Sequence, residues 1–490
     1  MRPPRLRVRP PRARLESAMR SRRLYAWLPA TRTINAVVAA DGPLTLRRAR
    51  EIILANPIAA NAADAFVGNA VGTGIKPSPL VGDGAAKAAI QELWRAWTDE
   101  ADADGLTDFY GLQALIAREM FSAGECFVRL RARLPSDGLS VPLQLQLLQS
   151  EMLPVEKTER AASGAQIRCG IEFDGIGRRV AYWFRRRHPG ELADAAVLPD
   201  TEFTRVPAED VLHIRRPLEA GQLRGLPYIT PALVRLHQMD QYMDAQVERQ
   251  KIAALFVGFV RQTTPEDIAV GETDQGDGTA LVPLQPGLFH RLLPGDDVTF
   301  STPPGVGGDF DPFWYRVCLE LAAAMGLPYA TITGDLRQTS YGSMRAGMIE
   351  FRRRMEQLQH AVFVWQLCRP VYARWLADAV LSGALALPGF ARSPRAWQAC
   401  KWIPPRWDWI DPLKDLQAEK LAVDAGFKAR ADVVEAQGYD VEETDARIAA
   451  DRAREQALGL GFGAGAGAGE TQGARVTPEE PPEPDAPAAD

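Results

Sequence analysis

The chain has 490 residues, 46% apolar and 24% charged, with a formal net charge of −5. That length and balance suit a water-soluble body of several parts with a large core, and they exclude a small module. The acidity argues against a globally basic nucleic-acid binder, and the apolar run from Ile252 to Val260 falls far short of the roughly 20 residues that span a bilayer, so no membrane contact is expected.

Residues 1 to 23 hold nine arginines against one glutamate, and 1–24 is expected to be a basic, flexible arm. No apolar segment with a small-residue cleavage site follows it, so synthesis in the cytoplasm is expected. From Leu44 to Val71 the pattern is apolar and helical, with Asn56-Pro57 as an internal break and Gly72-Thr73-Gly74 as its close. Two further amphipathic stretches follow, one with Trp94 and Trp97 and one from Phe109 to Phe121, ahead of Gly124. The period then becomes two. Cys126, Val128 and Leu130 alternate with Phe127, Arg129 and Arg131, and Leu143, Leu145 and Leu147 alternate with Gln144, Gln146 and Leu148. Ile167 to Phe173 and Val180 to Arg186 flank Asp174-Gly175-Ile176-Gly177, a hairpin signal, and Val211 to Ile214 adds a short strand.

At Pro231 the period returns to helical. Leu233, Leu236, Met239, Met243 and Val247 trace one stripe up to about Leu255. Residues 258 to 310, rich in Gly, Pro and Asp, read as a compact strand-and-turn insertion. A second helix fits Pro312 to Met325, with Asp311 as its N-cap and Gly326-Leu327-Pro328 as its end. Next, Met344, Met348, Phe351, Met355, Leu358, Val362 and Trp365 advance by four and three residues in alternation. This is a seam of period 3.5, on a helix of about 40 Å over 343–369, whose continuation Pro370 disturbs. Asp411-Pro412 opens a helix that Gly426 closes, Gly438 closes another, and Asp440 caps a third to about Leu458. Residues 463 to 490, with six acids against one arginine, cannot build a core. The fold class read from this order is α+β.

Few residues offer chemistry. The cysteines Cys126, Cys169, Cys318, Cys368 and Cys400 lack any C-x-x-C spacing and read as reduced core residues. The five histidines lack metal-site spacing, and no metal or cofactor is expected. Gly68, Gly72, Gly74 and Lys76 lack the Gly-Lys-Ser/Thr of a phosphate loop and read as a turn. The acidic run from Asp99 to Asp104 resembles a calcium loop, but the twelfth position counted from Glu100 is Gly111, so it reads as a solvated acidic turn. Ser343 is in no nucleophile elbow. Lys401 to Trp409 interleaves aromatics with bases, the composition of a stacking platform, but its prolines favour packing onto the core. Arg352, Arg353 and Arg354 lie off the apolar seam. They fit either phosphate contacts, together with Arg345, or a solvated or intersubunit salt-bridging face.

Over residues 22 to 458, several stretches in order resemble the lambda-type bacteriophage portal family. Leu46-Arg47-Arg48-Ala49-Arg50 through Asn56-Pro57 to Gly72-Thr73-Gly74-Ile75 is similar to the family's arginine-rich helix and Val-Gly-x-Gly-Ile turn. Gly124-Glu125-Cys126-Phe127-Val128 resembles its Gly-Glu strand start, and Arg224-Gly225-Leu226-Pro227 precedes the long helix as in portals. Met325-Gly326-Leu327-Pro328-Tyr329 with Thr333-Gly334-Asp335 resembles the Gly-x-Pro-Tyr and Gly-Asp stretch. Tyr341-Gly342-Ser343-Met344-Arg345 resembles the Tyr-Ser-Ser-x-Arg signature, with Gly342 in place of the first serine.

The resemblance implies a subunit of a dodecameric ring around a DNA channel, without enzymatic activity. Mapped onto the chain it gives an α+β wing at 25–230, a stem helix at 231–257 and a clip at 258–311. A second stem helix follows at 312–330, a tunnel loop at 331–341, and a long channel helix returning to the wing at 342–400. A helical crown at 401–458 precedes an acidic Gly/Ala/Pro tail at 459–490. The implied loop residues at the channel are Asp335, Leu336, Arg337, Gln338, Thr339 and Ser340. Asp240, Asp244 and Glu248 recur every four residues on the first stem helix; acidic rings facing the channel and an ordinary outer face are equally open readings. The implied partners are further copies of the chain, the terminase motor, head-completion and tail-adaptor proteins, major capsid and scaffold proteins, and double-stranded DNA bound without sequence preference. The implied place is the portal vertex of the virion, reached from the host cytoplasm. A packaging enzyme of terminase type would need a Walker-type loop and clustered carboxylates, and a head protein without a channel is the other alternative.

Overall fold

In the computed structural model the described residues are 26, 29, 31–161, 164–191, 202–255, 259–262, 296–299, 310–337, 340–407 and 411–460. The arm at 1–24, most of the insertion at 258–311 and nearly all of the tail at 459–490 therefore lie outside them. The chain divides into one unit up to Pro405 and a second from Arg406.

The first unit begins with α1 (Ile34–Ala55) and α2 (Pro57–Ala70). Capped by Thr33, α1 starts ten residues before the expected Leu44, and Pro43 is accommodated within it. Asn56 ends one helix and starts the other: its Oδ1 accepts from the Ala59 amide at 2.9 Å, with Pro57 at the first helical position, where its missing N–H costs nothing. After β1 (Lys76–Pro79) come α3 (Gly84–Thr98), capped by Asp83, and α4 (Phe109–Ser122), capped by Asp108. Ile90, Trp94 and Trp97 form the buried stripe of α3. The acidic turn between these helices is less solvated than expected. Asp102 is 6% exposed, and its carboxylate accepts from the amides of Asp104, Leu106 and Thr107, so it organises the turn from inside.

Two antiparallel sheets follow. β2 (Glu125–Ala132) lies between β3 (Leu143–Leu148) and a later strand, β9. The second sheet is a meander of β4 (Glu159–Arg160), β5 (Gln166–Arg168), β6 (Ile171–Phe173), β7 (Arg179–Arg185) and β8 (Phe203–Pro207), and β9 (Val211–Arg215) then returns to β2. The stretch from Ile167 to Phe173, read as one strand, is two. Cys169 and Gly170 both take positive φ, 51° and 80°, in a two-residue hairpin turn that matches strand twist. Phe127 of β2 joins Ile171, Phe173, Tyr182, Phe184 and Val206 of the meander in a shared core.

Next come α5 (Leu233–Leu255), a hairpin of β10 (Phe259–Gln262) with β11 (Asp296–Thr299), and α6 (Phe310–Met325). Asp311 lies inside the first turn of α6, not ahead of it. The short α7 (Tyr329–Thr333) straddles the expected boundary between the second stem helix, ending at 330, and the loop beginning at 331. The long helix starts as α8 (Tyr341–Leu358), widens to π-helical hydrogen bonding over Gln359–Cys368, and runs on as α9 (Arg369–Leu381). Pro370 thus sits in the first turn of α9. The wider π register is where a ring without an N–H can be fitted. The register change also rotates the seam. Phe351, Met355, Leu358 and Val362 are buried, whereas Trp365 turns out to 60% exposure and Phe363 and Leu367 take the inner face.

Trp94 and Trp97 of α3, Phe109 of α4, and Tyr372 and Trp375 of α9 build one aromatic cluster, with Trp94 and Trp375 edge-to-face at 4.9 Å. After α10 (Pro394–Trp397), β12 (Cys400–Ile403) pairs antiparallel with β1, and Trp402 meets Tyr372 edge-on at 5.9 Å. The basic-aromatic segment therefore begins as a strand packed on the first unit. The second unit contains α11 (Pro412–Asp424), α12 (Arg430–Ala436) and α13 (Val441–Leu458), with Asp411 and Asp440 as caps and Gly426 at φ 75° closing α11.

Candidate functional site

The expected loop residues follow α7, and sequence-local chemistry shapes that place. Gly326, at φ 66°, closes α6, with the Leu327 amide bonded back to the Ala322 carbonyl at 3.1 Å. Pro328 restarts the chain as α7, whose Ile332 is buried. Asn61 of α2 donates to the carbonyls of Thr331 and Ile332, each at 2.9 Å, satisfying acceptors that a helix end leaves open.

Gly334, at φ 71°, then turns the chain into Asp335. The Asp335 carboxylate accepts from the Arg337 amide at 3.0 Å, from the Arg337 guanidinium through Nε and Nη2, each at 3.0 Å, and from the Tyr329 hydroxyl at 3.1 Å. The Arg337 side chain and amide hold this carboxyl well below the usual carboxylate range. Asp335 thus fastens the loop's first turn onto α7. Leu336 is 58% exposed at the tip, and Arg337 is exposed beside it. Gln338 and Thr339 lie outside the described residues. Ser340 is exposed, and its carbonyl accepts from the Met344 amide at 2.9 Å, starting α8.

The other candidate residues divide between contacts within the chain and open surface. Asp240 of α5 is partly buried and accepts from Asn56 Nδ2 at 2.6 Å, so it is tied to the junction of α1 and α2. Asp244 and Glu248 are exposed, and Glu248 pairs with Lys251 at 2.9 Å. The three acids therefore do not share one environment. Leu233, Leu236 and Met239 are buried but Val247 is 48% exposed, so the far half of α5 leaves the chain's own core. Alongside it, Tyr242 packs on Phe313 of α6 at 5.2 Å, and Arg235 pairs with Glu320 at 3.1 Å. On α8, Arg345 and Arg352 are partly exposed while Arg353 and Arg354 are exposed, with Glu350 3.5 Å from Arg354 one turn back.

Sequence reasoning assigned no role to a buried joint at the start of β2. Glu125, at the start of β2, and Arg224 are paired at 2.6 Å with side chains 1% and 2% exposed. The remaining groups of the joint are complementary. His213 lies 2.8 Å from Glu125, the Ser150 hydroxyl and the Gly225 amide donate to it, and Arg224 donates to the carbonyls of Ser150, Leu153 and Cys169. Burial opposes the charge on Glu125, but Arg224 and His213 outweigh it and hold the carboxyl below its ordinary range. Burial likewise lowers His213 to about 4. The backbones interlock at the same place: a Cβ on Gly124 would lie 2.0 Å from the Leu226 carbonyl oxygen, and one on Gly225 2.3 Å from that of Gly124. The joint thereby fixes the segment leading into α5.

A second network ties α1 to α4, with Arg50 forked onto Glu119 and onto Glu151 at 2.5 to 3.0 Å. Glu125, Arg224 and Arg50 all lie within the stretches that carried the family resemblance; that was the available signal. A cavity of about 600 Å³ adjoins both networks, lined by Leu46, Arg50, Glu125, Glu151, Leu153 and Arg224 among others. Among the described residues no three His, Cys, Asp or Glu side chains are grouped to hold a metal ion, and no helix is long and apolar enough to cross a membrane.

Comparison with known proteins completes the picture. A family model described as phage portal protein, lambda family, matches residues 20–359, more than two thirds of the chain. The probable portal protein of Halomonas phage phiHAP-1 is 26% identical over 402 residues, covering 79% of this chain and 75% of the relative. Portal protein B of Escherichia phage lambda is 22% identical over 509 aligned residues, covering 93% and 92%. Among solved structures, a chain from the virion of a native gene transfer agent particle is similar with a TM-score of 0.46 and 15% identity, over 81% of this chain and 93% of that one. An HK97 family phage portal protein from Corynebacterium diphtheriae gives 0.31 and 12%, over 69% and 97%.

Proposed function

The chain belongs to the lambda family of phage portal proteins, and from that membership we propose that twelve copies close into a ring at the unique vertex of a phage head. The ring is the conduit for double-stranded DNA during packaging and ejection. It assembles in the host cytoplasm with scaffold and major capsid proteins, receives the terminase motor, and is later closed by head-completion and tail-adaptor proteins. Its work is mechanical: it guides and holds DNA, and closed symmetry supplies the hole.

The observation that carries this reading is the half-anchored loop between α7 and α8. Its base is fastened by Asp335 to Tyr329 of α7, which Asn61 in turn ties to α2, while Leu336 and Arg337 are exposed at the tip. An element fixed at its base and exposed at its tip suits repeated contact with a passing duplex. Exposed Asp244 and Glu248, multiplied by symmetry, would add negative potential and discourage tight phosphate binding, which a sliding duplex requires. Arg345, Arg352, Arg353 and Arg354 are assigned to DNA or intersubunit contacts.

The test has two stages. Negative-stain microscopy of the purified chain is expected to show rings with a central hole; monomers alone at every salt and protein concentration would overturn the proposal. Shortening the loop within residues 335 to 340 is then expected to spare rings but reduce nuclease-protected DNA in assembled heads. Loss of rings on shortening would make the loop a structural element, and parental packaging would remove its role in handling DNA.

A further inference from the structure

Away from the loop, β2 and the residue after it carry Arg129, Arg131 and Arg133 at two-residue intervals. Alternate residues of a strand share a face, so the three guanidinium groups line one face of the β3-β2-β9 sheet. Upstream, that face places Phe127 in the shared core. Further along it opens, and all three arginines are partly exposed.

Their partners are neutral. Arg131 donates to Gln146 Oε1 at 3.0 Å and Arg133 to Gln144 Oε1 at 2.8 Å. Gln144 is itself fixed, because its amide donates to the carbonyls of Glu100 and Asp102 at 2.9 and 3.2 Å. The forks of Arg131 and Arg133 are thus held in place by neutral partners. Among the described residues none of the three forms an ion pair; Asp104 acts on Arg131 through its charge without pairing. Burial, then repulsion from Arg129 and Arg133, lowers Arg131 below its ordinary value. Like charges aligned on one strand face oppose folding, so an external anion would relieve the arrangement.

We propose that Arg129, Arg131 and Arg133 form a sequence-independent docking stripe for the phosphate backbone of double-stranded DNA, separate from the loop at 335–340. Residues two apart on a strand stand about 6.8 Å apart, which equals two base-pair rises of about 3.4 Å measured along the axis of B-DNA, so an even stripe can follow a phosphate backbone. All three are arginines, whose planar forks match phosphate oxygens and lose less hydration than a lysine ammonium. An acidic peptide is the rival occupant. The six acids of residues 463–490 are unevenly spaced and broken by prolines, and fit the even stripe less well. The proposal requires only that the chain meets DNA, not that any particular element lines a channel.

The experiment titrates a fluorescent random-sequence DNA duplex with the full chain across a salt series. Parent protein is compared with Arg129→Gln, with the triple glutamine variant at 129, 131 and 133, and with the triple lysine variant. The slope of log affinity against log salt is expected to fall by about 0.9 for Arg129→Gln and about 2.7 for the triple glutamine variant, per subunit engaged, with lysine keeping most of it. Arg129 has no side-chain hydrogen bond of its own among the described residues, so the single variant decides the matter if the triple fails to fold. Unchanged slopes would overturn the stripe. So would a synthetic peptide of residues 463–490 that binds the parent and not the glutamine variants while their DNA slopes stay parental.

Discussion

Glu125 and Arg224, ninety-nine residues apart in sequence, meet in the interior with Oε1 2.7 Å from Nε and 2.6 Å from Nη2. One starts the central strand of the first sheet; the other begins the segment that leads into α5. A buried ion pair adds little when complete, because desolving both charges offsets their attraction, but removing one partner strands the other.

Arg224→Met is therefore expected to lower stability by about 3–5 kcal/mol, since Glu125 would remain buried and uncompensated. Arg224→Lys should rescue little, because one ammonium cannot replace a fork that reaches Glu125 and three backbone carbonyls. Chemical denaturation of both variants against the parent checks this. A parental midpoint for either would show that the joint is not what holds the two segments.

The same joint predicts acid sensitivity. An unfolded His213 takes a proton near its ordinary 6.5, and the folded one only near about 4, so across that window the unfolded state binds more protons and stability falls as pH falls. Glu125, lowered in the folded state, extends the loss below its ordinary 4.5 in the same direction. His213→Gln should flatten a plot of melting temperature against pH between about 6.5 and 4 and weaken, without removing, the fall at lower pH, which Arg224 still imposes through Glu125. An unchanged profile would remove His213 from the account.

Two glycine substitutions should act in opposite directions. Gly124→Ala adds a methyl 2.0 Å from the Leu226 carbonyl oxygen at φ 81°, and should destabilise by more than about 1 kcal/mol or prevent folding. Gly347→Ala, exposed within α8 and with nothing within 4 Å of the new methyl, should stabilise by about 0.5–1 kcal/mol. Thermal melts of the pair provide the comparison.

Asn61→Ala removes both hydrogen bonds from α2 to the carbonyls of α7, each of which contributes about 1 kcal/mol. Hydrogen exchange at the Ile332 and Gly334 amides should accelerate while exchange in β2 and β9 stays parental. Equal acceleration everywhere would mean global destabilisation and would count against a local anchor.

Residue order alone determined the pieces whose causes are local. Asp411 and Asp440 cap helices where the sequence placed them, Gly326 and Gly426 end them, and the alternation in β2 and β3 reads directly as strand. The loop's position was legible from Gly334-Asp335 on one side and Tyr341 on the other. Its fastening was not, because that depends on Tyr329, which lies on a short helix whose own signal is too brief to register, and on Asn61 from a distant helix. Phase was lost in the same way. Nothing in the spacing from Met344 to Trp365 announces the π register that turns Trp365 outward, since hydrogen-bond register answers to packing and to Pro370 together. Cys169 at positive φ, the pairing of β1 with β12, and the meeting of Glu125, His213 and Arg224 were decided only in three dimensions. A cap is completed within one helical turn, whereas a strand register or a buried charge is settled by whatever the fold brings to its other side.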